Sequence, residues 1–263
     1  MTRSVEGWTR YVAVGDSFTE GLWGEPDADG RPTGWADLLA AELSSRRTAA
    51  GLPPLEYANL AVRGRLLRPI LTEQLPRALR AEPDLVSIVG GGNDILRPVV
   101  DVDALARNLE AAVVRVRRTG ADVLLATGMD VKDSPVVRRT RPRVGVFNAH
   151  VWSIARRHGC YVLDLWGMRS LRDWRMWAPD RIHLNAEGHA RVAQAALEAL
   201  GLPADPHWDE PLPPAPRMTR LEEARWNAEW VKDWALPWAT RRLRRRSSGD
   251  SVTPKRPEPA PLP

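Results

Sequence analysis

The sequence predicts an α/β fold built on a parallel sheet of five strands with helices on both faces. Two observations carry that expectation. Short apolar runs rich in β-branched residues alternate with longer stretches of helical spacing, as repeated βαβ units require. The runs are also continuously apolar, as for strands buried on both sides.

Tyr11–Val14 is the first strand and stops at Gly15. Trp35, Leu38, Leu39 and Leu43 then recur at helical spacing, predicting a helix over 35–47. Glu56–Leu60 is a short second strand. A helix over 69–80 follows, with Pro69 tolerated in its first turn. The third strand, Asp84–Val89, is closed by three glycines. Leu105, Leu109, Val113 and Val116 line one side of a helix over 102–118. Asp122–Thr127 and Cys160–Asp164 are the fourth and fifth strands. They are separated by a helix over 143–158 and followed by one over 186–200.

Residues 1–203 read as one domain, of a size that buries most of what its unfolded chain exposes. Residues 204–246 form a proline-rich linker and a helical extension rich in tryptophan and arginine. Residues 247–263 are Ser-, Pro- and charge-rich and are expected to be disordered.

Cys160 is the only cysteine, so no internal disulfide can form and a reducing compartment is expected. No apolar leader and no run of 18 apolar residues is visible, so the expected location is cytoplasmic. The formal charge of +5 owes much to the late run Arg241–Arg246. Such a run attracts anionic partners but does not bear on the domain's chemistry, and no nucleic-acid partner is expected.

In open parallel sheets the site lies at the carboxyl ends of the strands. Ser17 follows the first strand directly, where an exposed hydroxyl can act as a nucleophile. Gly64 follows the second and can bring a backbone N–H close to a ligand. Asn93 follows the triple glycine after the third and offers an amide donor. Late in the chain, Asp180 precedes His183 by three residues, close enough on one turn to fix the imidazole tautomer. A nucleophile, a base with its orienting carboxylate and two oxyanion donors are what serine acyl transfer needs. No phosphate-binding or dinucleotide-binding glycine pattern is present. The five histidines show no metal-ligand spacing, so neither metal nor cofactor is expected.

Four blocks resemble those of the SGNH/GDSL hydrolase superfamily: Gly15-Asp16-Ser17, Asn59-x-Ala61-x-x-Gly64, Gly91-x-Asn93-Asp94 and Asp180-x-x-His183. The resemblance spans residues 10 to about 200. It implies a flavodoxin-like three-layer α/β/α sandwich and an esterase without cofactor, acting on a small-molecule ester. It further implies Ser17 as nucleophile, His183 as base and Asp180 as its orienter. The Ser17 and Gly64 N–H groups and the Asn93 amide would form the oxyanion hole, with Asp16 and Asp94 supporting. Phe18 stands where the family usually has leucine. A histidine base must be neutral, so activity is expected to rise with pH through roughly 6–7. An acyltransferase using the same residues, or a binding module acting through the basic tail, is the alternative.

Two further segments invite a role. Lys132, Arg138, Arg139 and Arg141 follow the fourth strand near the rim and could favour acidic substrates. Trp226, Trp230 and Trp234 recur every four residues and share one helix face. That face either packs on the domain or, with Arg241–Arg246, makes a peripheral membrane or protein contact.

Overall fold

The computed structural model describes residues 7–132, 134, 137–215, 218–237, 240 and 248–262. In chain order it contains β1 (Arg10–Val14), α1 (Ser17–Glu20), the paired two-residue strands β2 (Glu25–Pro26) and β3 (Pro32–Thr33), and α2 (Trp35–Ala49). β4 (Glu56–Asn59) leads to α3 (Leu67–Pro69), a π turn at Ile70–Gln74, and α4 (Leu75–Arg80). β5 (Leu85–Ile88), α5 (Gly92–Ile95), α6 (Val102–Arg117) and β6 (Asp122–Ala126) follow. α7 (Arg141–His158), β7 (Tyr161–Leu163) and α8 (Ala186–Ala199) complete the α/β unit. Beyond it lie α9 (Arg220–Trp230), which runs into a second π turn at Val231–Ala235, and β8 (Arg256–Pro261).

The main sheet has the order β7-β6-β5-β1-β4-β8. Its first five strands are parallel, and β1 sits between β4 and β5. The chain moves from β1 to β4 on one side and then crosses to β5 on the other. That reversal opens a crevice at the carboxyl ends of β1 and β5.

Side-chain alternation divides the interior into two layers. Tyr11, Ala13, Tyr57, Leu85 and Leu124 face α2 and α8, where Trp35, Leu39, Leu43 and Val192 meet them. Val12, Val14, Val86, Ile88, Val123 and Leu125 face the opposite layer of Ile70, Leu75, Leu109, Val113 and Val151. Both faces of β1, β5 and β6 are therefore largely apolar, which is why their runs read as near-continuous. Caps set several helix starts: Asp101 accepts from the Ala104 N–H before α6, and Asn185 from the Gly188 N–H before α8.

Two expectations need correction. The sheet has six strands rather than five, and the segment 247–263 is not disordered throughout. Residues 256–261 pair antiparallel with β4, matching Glu56 to Pro261, Tyr57 to Ala260 and Asn59 to Arg256. Three prolines hid this strand. Proline lacks an N–H and is confined to sheet edges, which is where β8 lies. The Leu262 N–H donates to the Leu55 carbonyl at 2.9 Å, and Ser44 Oγ donates to the Leu262 carbonyl at 2.7 Å. The Lys255 ammonium donates to Asp37 Oδ2 and the Pro32 carbonyl, both at 2.6 Å.

The Leu262 side chain is buried in the layer with α2. Leu262→Ala is expected to lower unfolding free energy by about 2 kcal/mol, the low end for a buried leucine. Urea denaturation checks this, and an unchanged midpoint would show that β8 contributes nothing to the core.

Candidate active site

The first strand delivers Ser17 through two constrained residues. A Cβ on Gly15 would lie 2.5 Å from Thr19 Oγ1 and 2.8 Å from the Val89 carbonyl, so only glycine lets the tips of β1 and β5 approach. The buried Gln74 amide, on the first π turn, clasps that glycine: Oε1 accepts from the Gly15 N–H at 2.8 Å and Nε2 donates to its carbonyl at 3.0 Å. Asp16 caps α1 by accepting from the Phe18 N–H at 3.1 Å. Ser17 is the first residue of that helix.

Ser17 Oγ lies 2.9 Å from His183 Nε2, and His183 Nδ1 lies 2.6 Å from Asp180 Oδ2. A carboxylate only accepts, so Nδ1–H donates to Asp180 and Nε2 is left to accept the serine proton. A tight loop holds this pair. The Ala178 N–H donates to the His183 carbonyl, and the N–H groups of Ile182 and His183 both donate to Asp180 Oδ1 at 3.0 Å. Burial pushes the Asp180 carboxyl up, but the His183 ring and those two N–H groups outweigh it and hold it below the usual range.

The loop after β4 brings Gly64 to the same rim in the left-handed region, with φ of 73°. Its neighbour Arg63 is bound to the buried Glu20 by its N–H at 2.6 Å and by its guanidinium. After β5, Gly91 has φ of 101° and packs against the Phe147 ring, which turns the chain into α5 and presents Asn93. Asn93 Nδ2 donates to Asp16 Oδ2 at 3.2 Å and to the Arg65 carbonyl at 3.0 Å. Asp94 accepts from the Leu67 N–H at 2.9 Å, linking the starts of α3 and α5, and burial raises its carboxyl above the ordinary value. Ser17, Gly64, Asn93, Asp180 and His183 thus share one rim, while Asn59 is buried behind it, donating to the Thr19 carbonyl.

Asp16, Ser17, Gly64, Asn93, Asp180 and His183 border a cleft of about 1200 Å³. From the segments after β5 and β6 it is lined by aliphatic residues including Leu96, Met129 and Val137, with the Phe147 ring, and elsewhere by Arg63 after β4 and by Trp23, Trp230 and Trp234. The four cations after β6 are not in its lining, and Arg141 pairs with Asp130 at 2.7 Å. Their segment contributes Val131 and Val137 instead. Burial pushes the Cys160 thiol up to about 11, so it offers no thiolate. Burial also takes His189 down to about 4; its Nδ1 accepts from the Trp35 N–H and its Nε2 donates to the Leu22 carbonyl.

Three contributors escaped the sequence reading. Trp23 Nε1 donates to Asp180 Oδ2 at 2.9 Å, and Trp230 Nε1 donates to the Asp180 carbonyl at 2.8 Å. Arg181 packs under Trp226, its guanidinium carbon 3.3 Å from the ring centroid. These partners come from segments 157, 50 and 45 residues away, and no local period marks such contacts. Of the tryptophan face, Trp230 is therefore buried on the domain and Trp234 meets Trp23, while Trp226 covers Arg181 and stays exposed on its other side. The Arg241–Arg246 run lies outside the described residues.

Residues 13–191 match the GDSL-like Lipase/Acylhydrolase family. The chain belongs to that family. Solved structures agree in fold. LAE5, an α/β hydrolase enzyme from the metagenome of Lake Arreo in Spain, is 27% identical with a TM-score of 0.61; the match covers 73% of this chain and 95% of that one. An acetylxylan esterase, Axe2 from Geobacillus stearothermophilus, is 20% identical with a TM-score of 0.62, covering 74% and 94%. TesA is 24% identical with a TM-score of 0.57, covering 73% and 99%. Among curated proteins none matches this sequence. No helix among the described residues is long and apolar enough to cross a membrane.

Asp16 supplies a test of the site's electrostatics. Burial raises its carboxyl from 3.8 to about 6. The folded chain then binds this proton more tightly than the unfolded one, so stability from this group falls as pH rises from about 4 through about 6. Asp16→Asn removes the titration. Its stability relative to wild type is expected to improve by about 3 kcal/mol between pH 4 and pH 7. Urea denaturation at both pH values measures the change, and a constant difference would show that Asp16 ionises as if exposed.

Proposed function

We propose that the protein is a serine ester hydrolase in which Ser17 attacks the ester carbonyl, His183 is the general base and Asp180 orients it. The observation that supports this most is the unbroken chain from Ser17 Oγ through His183 to Asp180, at 2.9 and 2.6 Å, on the rim of a deep cleft. As Oγ bonds to the carbonyl carbon, its proton passes to Nε2. The resulting imidazolium is stabilised by the Asp180 carboxylate and gives that proton to the departing alcohol oxygen. Water then enters, loses a proton to the same nitrogen and attacks the acyl-enzyme. Collapse of the second tetrahedral species releases the acid and returns the proton to Ser17.

The oxyanion of each tetrahedral species would be held by the backbone N–H groups of Ser17 and Gly64 and by Asn93 Nδ2. The N–H of Ser17 opens a helix, where donors face outward without intrahelical partners. The 3.2 Å contact from Asn93 to Asp16 is long, and it is the contact an oxyanion would share. The aliphatic arm beside β5 and β6 suits the acyl portion of the ester. No cofactor enters these steps.

Ser17→Ala is expected to abolish both labelling by a fluorophosphonate probe and hydrolysis of short p-nitrophenyl esters. A variant that labels like wild type would place the nucleophile elsewhere. Asn93→Ala is expected to lower kcat by about 10²–10³ through loss of one oxyanion donor. Steady-state kinetics on p-nitrophenyl acetate measure it, and an unaltered kcat would remove Asn93 from that role.

A further inference from the structure

Roughly a quarter of this chain has no counterpart in LAE5, Axe2 or TesA, although those structures are covered almost whole. The family match itself stops at residue 191. Residues beyond that match reach the catalytic loop. Trp226, Trp230 and Trp234 lie on the face of α9 and its π turn that meets the domain. Trp230 is buried and its indole N–H holds the Asp180 carbonyl. Trp234 stands edge-on to Trp23, with ring centroids 5.5 Å apart, and Trp23 in turn donates to Asp180 Oδ2. Arg181, next to Asp180, sits between the rings of Trp226 and Trp230 at 3.3 and 5.2 Å. Its guanidinium also donates to Asn227 Oδ1 at 2.7 Å and to the Trp226 carbonyl at 3.0 Å.

The backbone marks the same place. Only three non-glycine residues among those described have positive φ: Trp23 at 70°, Glu82 at 49° and Arg181 at 54°. Two of the three touch or adjoin Asp180. Such conformations persist where the surroundings over-determine them, and they gather at active sites. π turns are likewise frequent at functional sites, and the second one carries Trp234 to the cleft.

We propose that residues 220–235 belong to the catalytic centre: Trp230 is a positioning residue for Asp180, and Trp230 and Trp234, with Trp23, form the wall that selects the leaving alcohol. This rests on the ester-hydrolase reading above. The choice of the alcohol follows from the proton. The leaving oxygen must face His183 Nε2 to be protonated, and the tryptophans flank the loop that carries His183. The acyl group is then directed to the aliphatic arm formed by the segments after β5 and β6. Indole rings give a broad apolar wall with few rotatable bonds, which fits a flat or bulky alcohol better than methanol.

The test uses the full chain with Trp230→Phe and Trp234→Ala. Hydrolysis of methyl, phenyl and naphthyl acetate is measured as kcat and KM, per Ser17 counted by fluorophosphonate labelling. Trp230→Phe keeps a ring but lacks the donor. It is expected to lower kcat about tenfold on every ester with KM moved less than about twofold, the pattern of a misplaced catalytic group. Trp234→Ala is expected to raise KM for naphthyl acetate about tenfold relative to methyl acetate. Loss of activity merely in proportion to lost labelling sites would mean a structural role and overturn the proposal. So would wild-type kcat and an unchanged naphthyl-to-methyl ratio in an active background. If Trp230→Phe does not fold, Arg181→Lys replaces it; that variant loses the planar fork between the rings and is expected to lower kcat in the same way, and a wild-type value overturns the proposal. A wild-type chain that neither labels nor hydrolyses any ester overturns the hydrolase reading, and the proposal with it.

Discussion

Asp180 is the point on which the site depends. Its carboxylate is buried and would be expensive to ionise alone. Four donors surround it: the His183 ring, the Trp23 indole and the backbone N–H groups of Ile182 and His183. Their combined effect leaves it charged, and the charge fixes which nitrogen of His183 carries the proton. That tautomer leaves Nε2 free to meet the serine hydroxyl. Remove the charge, and the histidine loses both its orientation and its reason to accept a proton.

Around that charge, the sheet supplies rigidity through close approach. Gly15 lets the tips of β1 and β5 touch, so Ser17 and Asn93 emerge side by side from two bonded strands. The pair between buried Glu20 and Arg63 anchors the loop that presents Gly64. Asp16 has a double role, capping α1 while accepting from Asn93, so one carboxylate ties the helix that begins at Ser17 to the Asn93 amide.

Much of this was legible in the sequence, for identifiable reasons. β1, β5 and β6 are largely apolar on both faces, and their near-continuous runs announce them. Ser17, Gly64 and Asn93 follow strand ends within a few residues, so topology gathers them, while Asp180 and His183 were legible from their own spacing. β8 was hidden because Arg-Pro-Glu-Pro-Ala-Pro has the composition of a solvated tail, and only its place at the sheet edge makes those prolines tolerable. Trp23 and Trp230 were equally silent. The spacing of 226, 230 and 234 revealed a face, but what that face met depends on the turn holding Arg181 in a left-handed conformation. Neither helical nor strand periodicity encodes such a turn.

The pairing of β4 with β8 joins residues that are some two hundred apart, as Glu56 with Pro261. Ser17 and His183 are themselves 166 residues apart. Contacts this remote are formed against the entropy of closing long loops, so they form late in folding and slowly. A nucleus built from β1, β4, β5 and their helices can be compact while Ser17 and His183 are still strangers. Esterase turnover, if followed during refolding, would then act as a clock for the last closures of the chain rather than for its collapse.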